Sequence, residues 1–487
     1  MILKNNDNKK NLDQNVSYFY DKIAKSRKKW LKRAASFHKE DQIMLREMVV
    51  PKSKILELGC GNGQLLNSLN PSFGIGVDIS KEIIKEAKKE FKHLSFYSGD
   101  VSKLDSIIDS STKFDYIILS DTIGYLEDIQ VTLEGLHKFC KKNTRIIISY
   151  YSPLWSPIFS IATLLNLKMP EVSTHLLNIE DIKSFLKVSN FDVVRKEKKI
   201  LVPLKLFGFA RILNKYLSTL PIFSFFCLRH YIVARSISAG KKHIPNSASI
   251  IVPCKNERGN VEQAVKGIAK FAEQTEVIFV EGNSSDGTWE EIKRVEKAYN
   301  KKNGRFSIRS FKQKNKGKAD AVFLGFEKAK NEVLFILDGD LTVEPRELEK
   351  FWQQIVSSEA EYVNGTRLVY PMDNNAMRYL NYIANKLFSA LFSWLLGQRY
   401  TDTLCGTKVI TKENFLKIKS KNKDLGNFDP FGDFFIIFGA SRLSLKMSEI
   451  PIRYKARVYG TTQISRFSHG FMLIKMVIFA FFKIKAI

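Results

Sequence analysis

Three glycines, Gly59, Gly61 and Gly63, close the apolar run in KILELGCGNGQLL, and the carboxyl group of Glu57 lies inside it. Without Cβ atoms, such a loop can turn tightly and bring its backbone N–H groups against a ligand. A helix expected from about Gln64 would point its N-terminus the same way. A dinucleotide fingerprint G-x-G-x-x-G counted from Gly59 would need glycine at 64, where Gln64 stands. Two carboxylates end later apolar runs: Asp78 in GIGVDIS and Asp100 in SGDV. Each alone reads equally well as a helix N-cap or turn residue. His175, in EVSTHLLNIEDI, is the histidine here that could act as a base, with a surface or loop histidine as the plain alternative. Far along the chain, VLFILDGDL ends an apolar run on Asp338-Gly339-Asp340. A bare pair of this kind is common in turns.

The elements that must hold these residues form two series. KILEL, GIGVD, FYSGDV, YIILSD and RIIISYY make the first, and SASIIVPCKNE, EVIFVEGNSSDGT and EVLFILDGDL restart the pattern. Buried strands alternating with helices predict an α/β fold with parallel sheets covered by helices. SISAGKKHIPNSAS, with Gly240 and Pro245 and no apolar period, reads as the connection. The expected domains are therefore 1–235 and 248–487, joined by a linker over 236–247. Their motifs differ, so they are not repeats.

Over 487 residues, 44% hydrophobic and 26% charged content is ordinary for globular chains and argues against a disordered or polytopic membrane protein. The five cysteines are scattered and never form a C-x-x-C pair, which fits a reducing compartment and speaks against a disulfide framework or a cysteine zinc site. The net charge of +27 reads either as a compositional habit or as attraction to membrane phospholipid or a phosphorylated substrate. No nucleic-acid motif accompanies it, so no nucleic-acid partner is expected. The first residues lack the apolar stretch of a signal peptide, which points to a cytoplasmic protein. The uncharged run from Ile146 to Leu167 contains Pro153 and Pro157 and is expected to be a strand followed by a loop. Tyr216–Leu228, Leu387–Gln398 and Met476–Phe482 are short apolar stretches, read either as core helices or as helices lying at the inner face of the cell membrane.

E-x-G-x-G-x-G from Glu57 to Gly63, then Asp78 and Asp100, resembles the class I S-adenosylmethionine-dependent methyltransferases over about residues 16–235. The resemblance implies a Rossmann-like sheet with S-adenosylmethionine as cofactor, Glu57, Gly59, Gly61 and Gly63 in its binding loop, and Asp78 on both ribose hydroxyls. It implies Asp100 at the adenine amino group, Val101 beside the ring, and an acceptor-facing surface beginning at SDTIGYLED. A carboxylate suits the ribose because it accepts two hydrogen bonds at once. Methyl transfer is an in-line displacement, so positioning can carry much of the catalysis and a general base is optional.

The second half, with SIIVPCKNE, VEGNSSDGT, KGKADA and VLFILDGD, resembles family 2 glycosyltransferases of the GT-A fold, and more narrowly the polyprenyl-phosphate sugar transferases. The resemblance implies a nucleotide-sugar donor held by Pro253 and Glu257, by Glu281, and by Lys318 and Asp320. Glu281-Gly282 stands where the family usually has Asp-Asp. Asp338 and Asp340 match its DXD metal motif. Hard carboxylates bind Mg²⁺ or Mn²⁺, which neutralises a diphosphate leaving group. Asp402 and Gly406 match the acceptor-side segment, and Gly432-Asp433 the position of the general base for a sugar hydroxyl. RVYGTTQISRF matches the loop that closes on phosphates, with Arg457 and Arg466 as its guanidinium donors; a solvated basic loop is the plain alternative.

The expected whole is a bifunctional enzyme, methyl transfer plus metal-dependent glycosyl transfer, in the assembly of a surface or lipid-linked glycan. A glycosyltransferase with a non-catalytic N-terminal binding domain, and a polyprenyl-phosphate sugar transferase, are the alternatives. A hydroxyl acceptor on a membrane-anchored glycan is favoured over a polyprenyl phosphate because Gly432-Asp433 fits the base position.

Overall fold

The computed structural model describes residues 12–172, 175–204, 208–240, 244–300, 306–370, 379–422, 432–455, 457, 459–460 and 466–486. The chain divides into two compact units, Met1–Lys242 with Lys485–Ile487, and His243–Ile484.

The first unit is built on β1 (Lys54–Leu58), β2 (Phe73–Asp78), β3 (Ser95–Ser98), β4 (Phe114–Ser120), β5 (Cys140–Tyr151), β6 (Phe191–Lys199) and β7 (Arg229–Ser236). Their order is β3-β2-β1-β4-β5-β7-β6. β1 to β5 pair in parallel, whereas β7 runs antiparallel to both β5 and β6. The sheet is therefore mixed rather than purely parallel. The runs KILEL, GIGVD and YIILS are almost continuously apolar because strands covered by helices on both faces bury both sets of side chains.

The second unit carries β8 (Ser247–Cys254), β9 (Gln274–Glu281), β10 (Ser307–Lys312), β11 (Val333–Ile336), β12 (Tyr362–Thr366), β13 (Lys408–Thr411) and β14 (Met447–Pro451). The order is β10-β9-β8-β11-β13-β12-β14. β8 to β11 are parallel, β13 is antiparallel to its neighbours, and β12 and β14 pair in parallel at the edge. Among the parallel strands β1 to β5 and β8 to β11, the order reverses once in each sheet, between β1 and β4 and between β8 and β11. Ligands of open α/β sheets bind in the crevice outside the carboxyl ends of strands at such a point.

One expectation is corrected. After β5 the chain forms a 3₁₀ turn, Pro153–Trp155, and a helix, Ser156–Leu164, rather than a loop. Pro153 and Pro157 fall in the first turns, where the missing N–H has no helical partner to lose. In the expected connection, β7 extends to Ser236, a helical turn covers Ile237–Gly240, and the division between the units falls at Lys242 and His243. Among the described residues, no helix is long and apolar enough to cross a membrane.

Candidate functional sites

In the first unit the loop after β1 is set by close approaches. Gly59 has φ 70, and a Cβ there would come within 2.1 Å of Thr122 Oγ1. That hydroxyl donates to the Leu58 carbonyl at 2.7 Å, tying the ends of β1 and β4 together. A Cβ on Gly61 would lie 2.7 Å from Arg27 Nη2. The Gly61 N–H donates to Asp78 Oδ2 at 2.8 Å and the Ser80 N–H to Oδ1 at 3.0 Å. Asp78 is thereby fixed at the crevice, and each oxygen retains a lone pair for a ligand hydroxyl. Glu57 is buried, and its Oε2 has no hydrogen-bond partner. Burial pushes its carboxyl well above the ordinary range.

Asp100 accepts from Ser102 N at 2.8 Å and Ser102 Oγ at 2.6 Å, capping the 3₁₀ helix Val101–Ser106, so it performs the capping role that the sequence left open. Val101 is partly buried against the core beneath the sheet's edge. The exposed His175 offers its backbone N–H to the Gly124 carbonyl at 3.0 Å.

Sequence reasoning missed Arg27 and a buried ion cluster at the end of β4. Asp121, in the left-handed region at φ 58, pairs with Arg229. The fully buried Arg229 guanidinium also reaches Asp41 Oδ1 at 2.9 Å, Ser120 Oγ at 2.9 Å and Ser149 Oγ at 3.0 Å. Tyr231 Oη donates to Asp41 at 2.6 Å. Desolvation raises the Asp121 pKa to about 6 despite the guanidinium. Asp121 lay within the SDTIGYLED segment and so had a positional signal. Arg229 had none, because Asp41 is 188 positions away in the chain.

In the second unit, the loops after β8 and β11 meet. A Cβ on Gly339 would strike the Pro253 carbonyl at 2.7 Å, and one on Gly406 would strike Asp338 Oδ2 at 1.9 Å. Leu341, just beyond Asp340, takes φ 51, a strained conformation of the kind that clusters at ligand sites. Asp338 Oδ1 pairs with Lys318 Nζ at 2.5 Å. Burial acts to lower the Lys318 pKa, but the carboxylates of Asp338 and Asp433 outweigh it and hold the ammonium above its usual range. Arg457 donates to Asp340 Oδ2 at 2.7 Å and to Glu257 Oε1 at 3.2 Å. Desolvation raises the Glu257 pKa against the pull of Asn260 and Arg457.

Other sequence candidates are used locally. Glu281 accepts the Ser284 N–H and shapes the turn after β9. Asp320 accepts from Asn315 N at 3.2 Å and Asn315 Nδ2 at 2.8 Å, holding the loop that leads into the helix Lys318–Lys328. Asp402 is clamped by Arg367 Nε and Nη2, both at 2.7 Å. Asp433 opens the helix Asp433–Arg442 and is 6% exposed. Its Oδ1 lies 3.4 Å from the buried Lys408 Nζ and makes no hydrogen bond. Arg466 begins the helix Arg466–Ala480, but its side chain lies outside the described residues.

Both sites suit the groups their chemistry implies. In the first unit, a side-chain-free glycine loop beside Asp78, whose two oxygens keep lone pairs, and an orphaned carboxyl oxygen at Glu57 fit S-adenosylmethionine. In the second, Asp338 faces the Lys318 ammonium and Asp340 the Arg457 guanidinium, so two hard carboxylates already stand against positive charge, although no group of three or more His, Cys, Asp or Glu placed for a metal ion occurs among the described residues.

Residues 50–169 match the Methyltransferase domain model and residues 249–418 the Glycosyl transferase family 2 model. The chain thus joins two transferase domains of different families. A UDP-N-acetylglucosamine–dolichyl-phosphate N-acetylglucosaminyltransferase from Methanococcus voltae is 25% identical over 235 residues, 46% of this chain and 92% of that protein. A dolichol-phosphate mannosyltransferase from Pyrococcus furiosus is 30% identical over 25% of this chain and 34% of its own length. An undecaprenyl-phosphate 4-deoxy-4-formamido-L-arabinose transferase from Proteus mirabilis is 23% identical over 45% of this chain, which spans 63% of it. Among solved structures, a SAM-dependent methyltransferase from Thermotoga maritima aligns over 45% of this chain and 99% of its own, at 13% identity and a TM-score of 0.34.

Proposed function

We propose that the chain is a bifunctional transferase: its first unit transfers a methyl group from S-adenosylmethionine, and its second transfers a sugar from a nucleotide sugar to a polyprenyl phosphate. The observation that carries the acceptor assignment is the setting of Asp433. A general base for a hydroxyl must reach the proton it removes. Asp433 is instead sealed beside the Lys408 ammonium. A phosphate oxygen is already anionic and needs no base. The relatives' named polyprenyl-phosphate acceptors support the same choice. The expectation of a sugar-hydroxyl acceptor therefore gives way to this reading.

In the second unit, Glu257 and Pro253 border the nucleotide side, with Glu281 at the turn beyond β9. Asp338 and Asp340 would hold Mg²⁺ or Mn²⁺, which supplies charge neutralisation at the diphosphate leaving group. Lys318 and Arg457 exchange their carboxylate partners for phosphate oxygens as donor and acceptor enter. In the first unit, Asp78 accepts from the ribose hydroxyls, Arg27 meets the donor's carboxylate, and Asp121 faces the methyl acceptor at the end of β4.

The test of the second unit is transfer of label from a panel of nucleotide sugars to a polyprenyl phosphate in Mn²⁺. Asp433→Asn should retain most of the rate, while Arg457→Ala should lose about 10²-fold, roughly two lost charge-assisted hydrogen bonds. A fall of about 10²–10⁴-fold in Asp433→Asn would restore the general base and the hydroxyl acceptor.

A further inference from the structure

Two insertions leave the first sheet at the same edge. One follows β5 at Tyr151, and the other joins β6 at Lys199 to β7 at Arg229. Tyr151 and Lys199 are both register partners of Arg229. This is the edge at which the glycine loop after β1, Asp78 after β2 and Asp121 after β4 form the methyl-donor crevice. The insertions are joined to each other: Trp155 Nε1 donates to the Phe226 carbonyl at 3.0 Å, and Ser152 N to the Leu228 carbonyl at 2.8 Å.

Their surfaces are apolar and uncovered. The helix Ser156–Leu164 has no buried residue, and Ile158, Ile161 and Leu165 occupy one helical face at 51–61% exposure. In the second insertion the helix Pro221–Ser224 also buries nothing, and Ile222 is 77% exposed. Apolar helices on a water-soluble surface demand a partner. The charge around them says which kind. Neither 152–170 nor 200–228 contains an Asp or Glu. Lys168 pairs with Glu171 at 2.7 Å and lies over the Phe159 ring, while Arg211 and Lys215 punctuate the second insertion, with Lys215 over Tyr216. Apolar side chains with aromatic residues, accompanied by these cations, match an anionic bilayer, where the chains enter the acyl boundary and Arg211 and Lys215 meet phosphates.

We propose that these two insertions dock the first unit onto an anionic membrane and that its methyl acceptor is an amphiphile presented there, at the rim of the crevice. The second clause rests on the methyltransferase reading; the first does not. The other coverings of such a face, a second copy of the chain or its own second unit, carry no comparable charge argument.

The full chain is tested by flotation with vesicles of phosphatidylcholine plus phosphatidylglycerol. Ile161→Glu/Ile222→Glu should lower the bound fraction about tenfold or more relative to the unmodified chain, and both should float less at high salt. S-adenosylmethionine binding by calorimetry, unchanged in the variant, reports an intact first unit and separates failure of docking from failure of the methyltransferase reading. All five native cysteines are buried, so Ile222→Cys can be labelled selectively with an environment-sensitive fluorophore. Its emission should shift to the blue when anionic vesicles are added. An unshifted label, equal flotation of variant and parent, or a dimer that the double substitution dissolves while vesicle binding persists would each overturn the proposal.

Discussion

Asp121 and Asp433 are both carboxylates at the carboxyl-end rim of a sheet, and their neighbours separate them. Asp433 is enclosed with Lys408 close by, while the Asp121 side chain keeps 36% of its surface open beside a buried guanidinium. With a pKa raised to about 6 by desolvation, Asp121 is protonated in acid and becomes a proton acceptor as pH rises through that value. Methyl transfer to a hydroxyl or amine should therefore climb from pH 5 to a plateau above pH 7. Asp121→Asn should flatten the profile and lower the plateau by about 10²–10⁴-fold; an unchanged profile in the variant removes Asp121 from the chemistry. Gly406 makes a different demand, since a methyl group there would lie on the Asp338 carboxylate. Gly406→Ala should cost sugar transfer about 10²-fold by displacing Asp338, with little change in the melting temperature, and full activity would show that Asp338 need not stand where it does. Asp78 and Asp338 were legible in the sequence because each ends an apolar run, and Glu57 because it interrupts one just before the glycine loop. Gly406 was legible only through a family likeness, and its steric reason required the fold.

The elements that hold these residues were legible to different depths. Strands β1, β2, β4, β8, β9 and β11 are near-continuous apolar runs, and all but β8 end at, or within two residues of, glycine or an acidic residue, so the strands and the loops after them could be read directly. The antiparallel placement of β7 and β13 could not, because strand direction depends on which edge a returning chain meets and leaves no mark in periodicity. The helix Ser156–Leu164 was misjudged for a related reason: its prolines read as breakers, yet they occupy first turns. Arg229 links helix and sheet, joining Asp41 in the helix Ala35–Met48 to the ends of β4 and β5. Arg229→Met would leave the Asp41 carboxylate buried without its guanidinium, at a cost of about 3–5 kcal/mol. Thermal unfolding should show that loss in the transition that S-adenosylmethionine protects. Adding Asp41→Leu should restore part of it, and a loss unrelieved by the second substitution would mean that packing, not charge, is what Arg229 supplies.

At the scale of the whole molecule, the proposed function gives the chain two donor sites on two separate sheets, each at its own reversal of strand order. On that reading both donors bind, each through its own carboxylates. Isothermal calorimetry of the full chain with S-adenosylmethionine, and with a nucleotide sugar in Mn²⁺, tests this most directly when repeated on Asp78→Ala and Asp340→Ala. Asp78→Ala should weaken S-adenosylmethionine by about 1.5–3 kcal/mol, the range for hydrogen bonds to a charged group, and leave the nucleotide sugar untouched. Asp340→Ala should abolish the Mn²⁺-dependent part of nucleotide-sugar binding and leave S-adenosylmethionine untouched. An unmodified chain that binds only one of the two donors, or an Asp78→Ala chain that binds S-adenosylmethionine as tightly as its parent, would contradict the account.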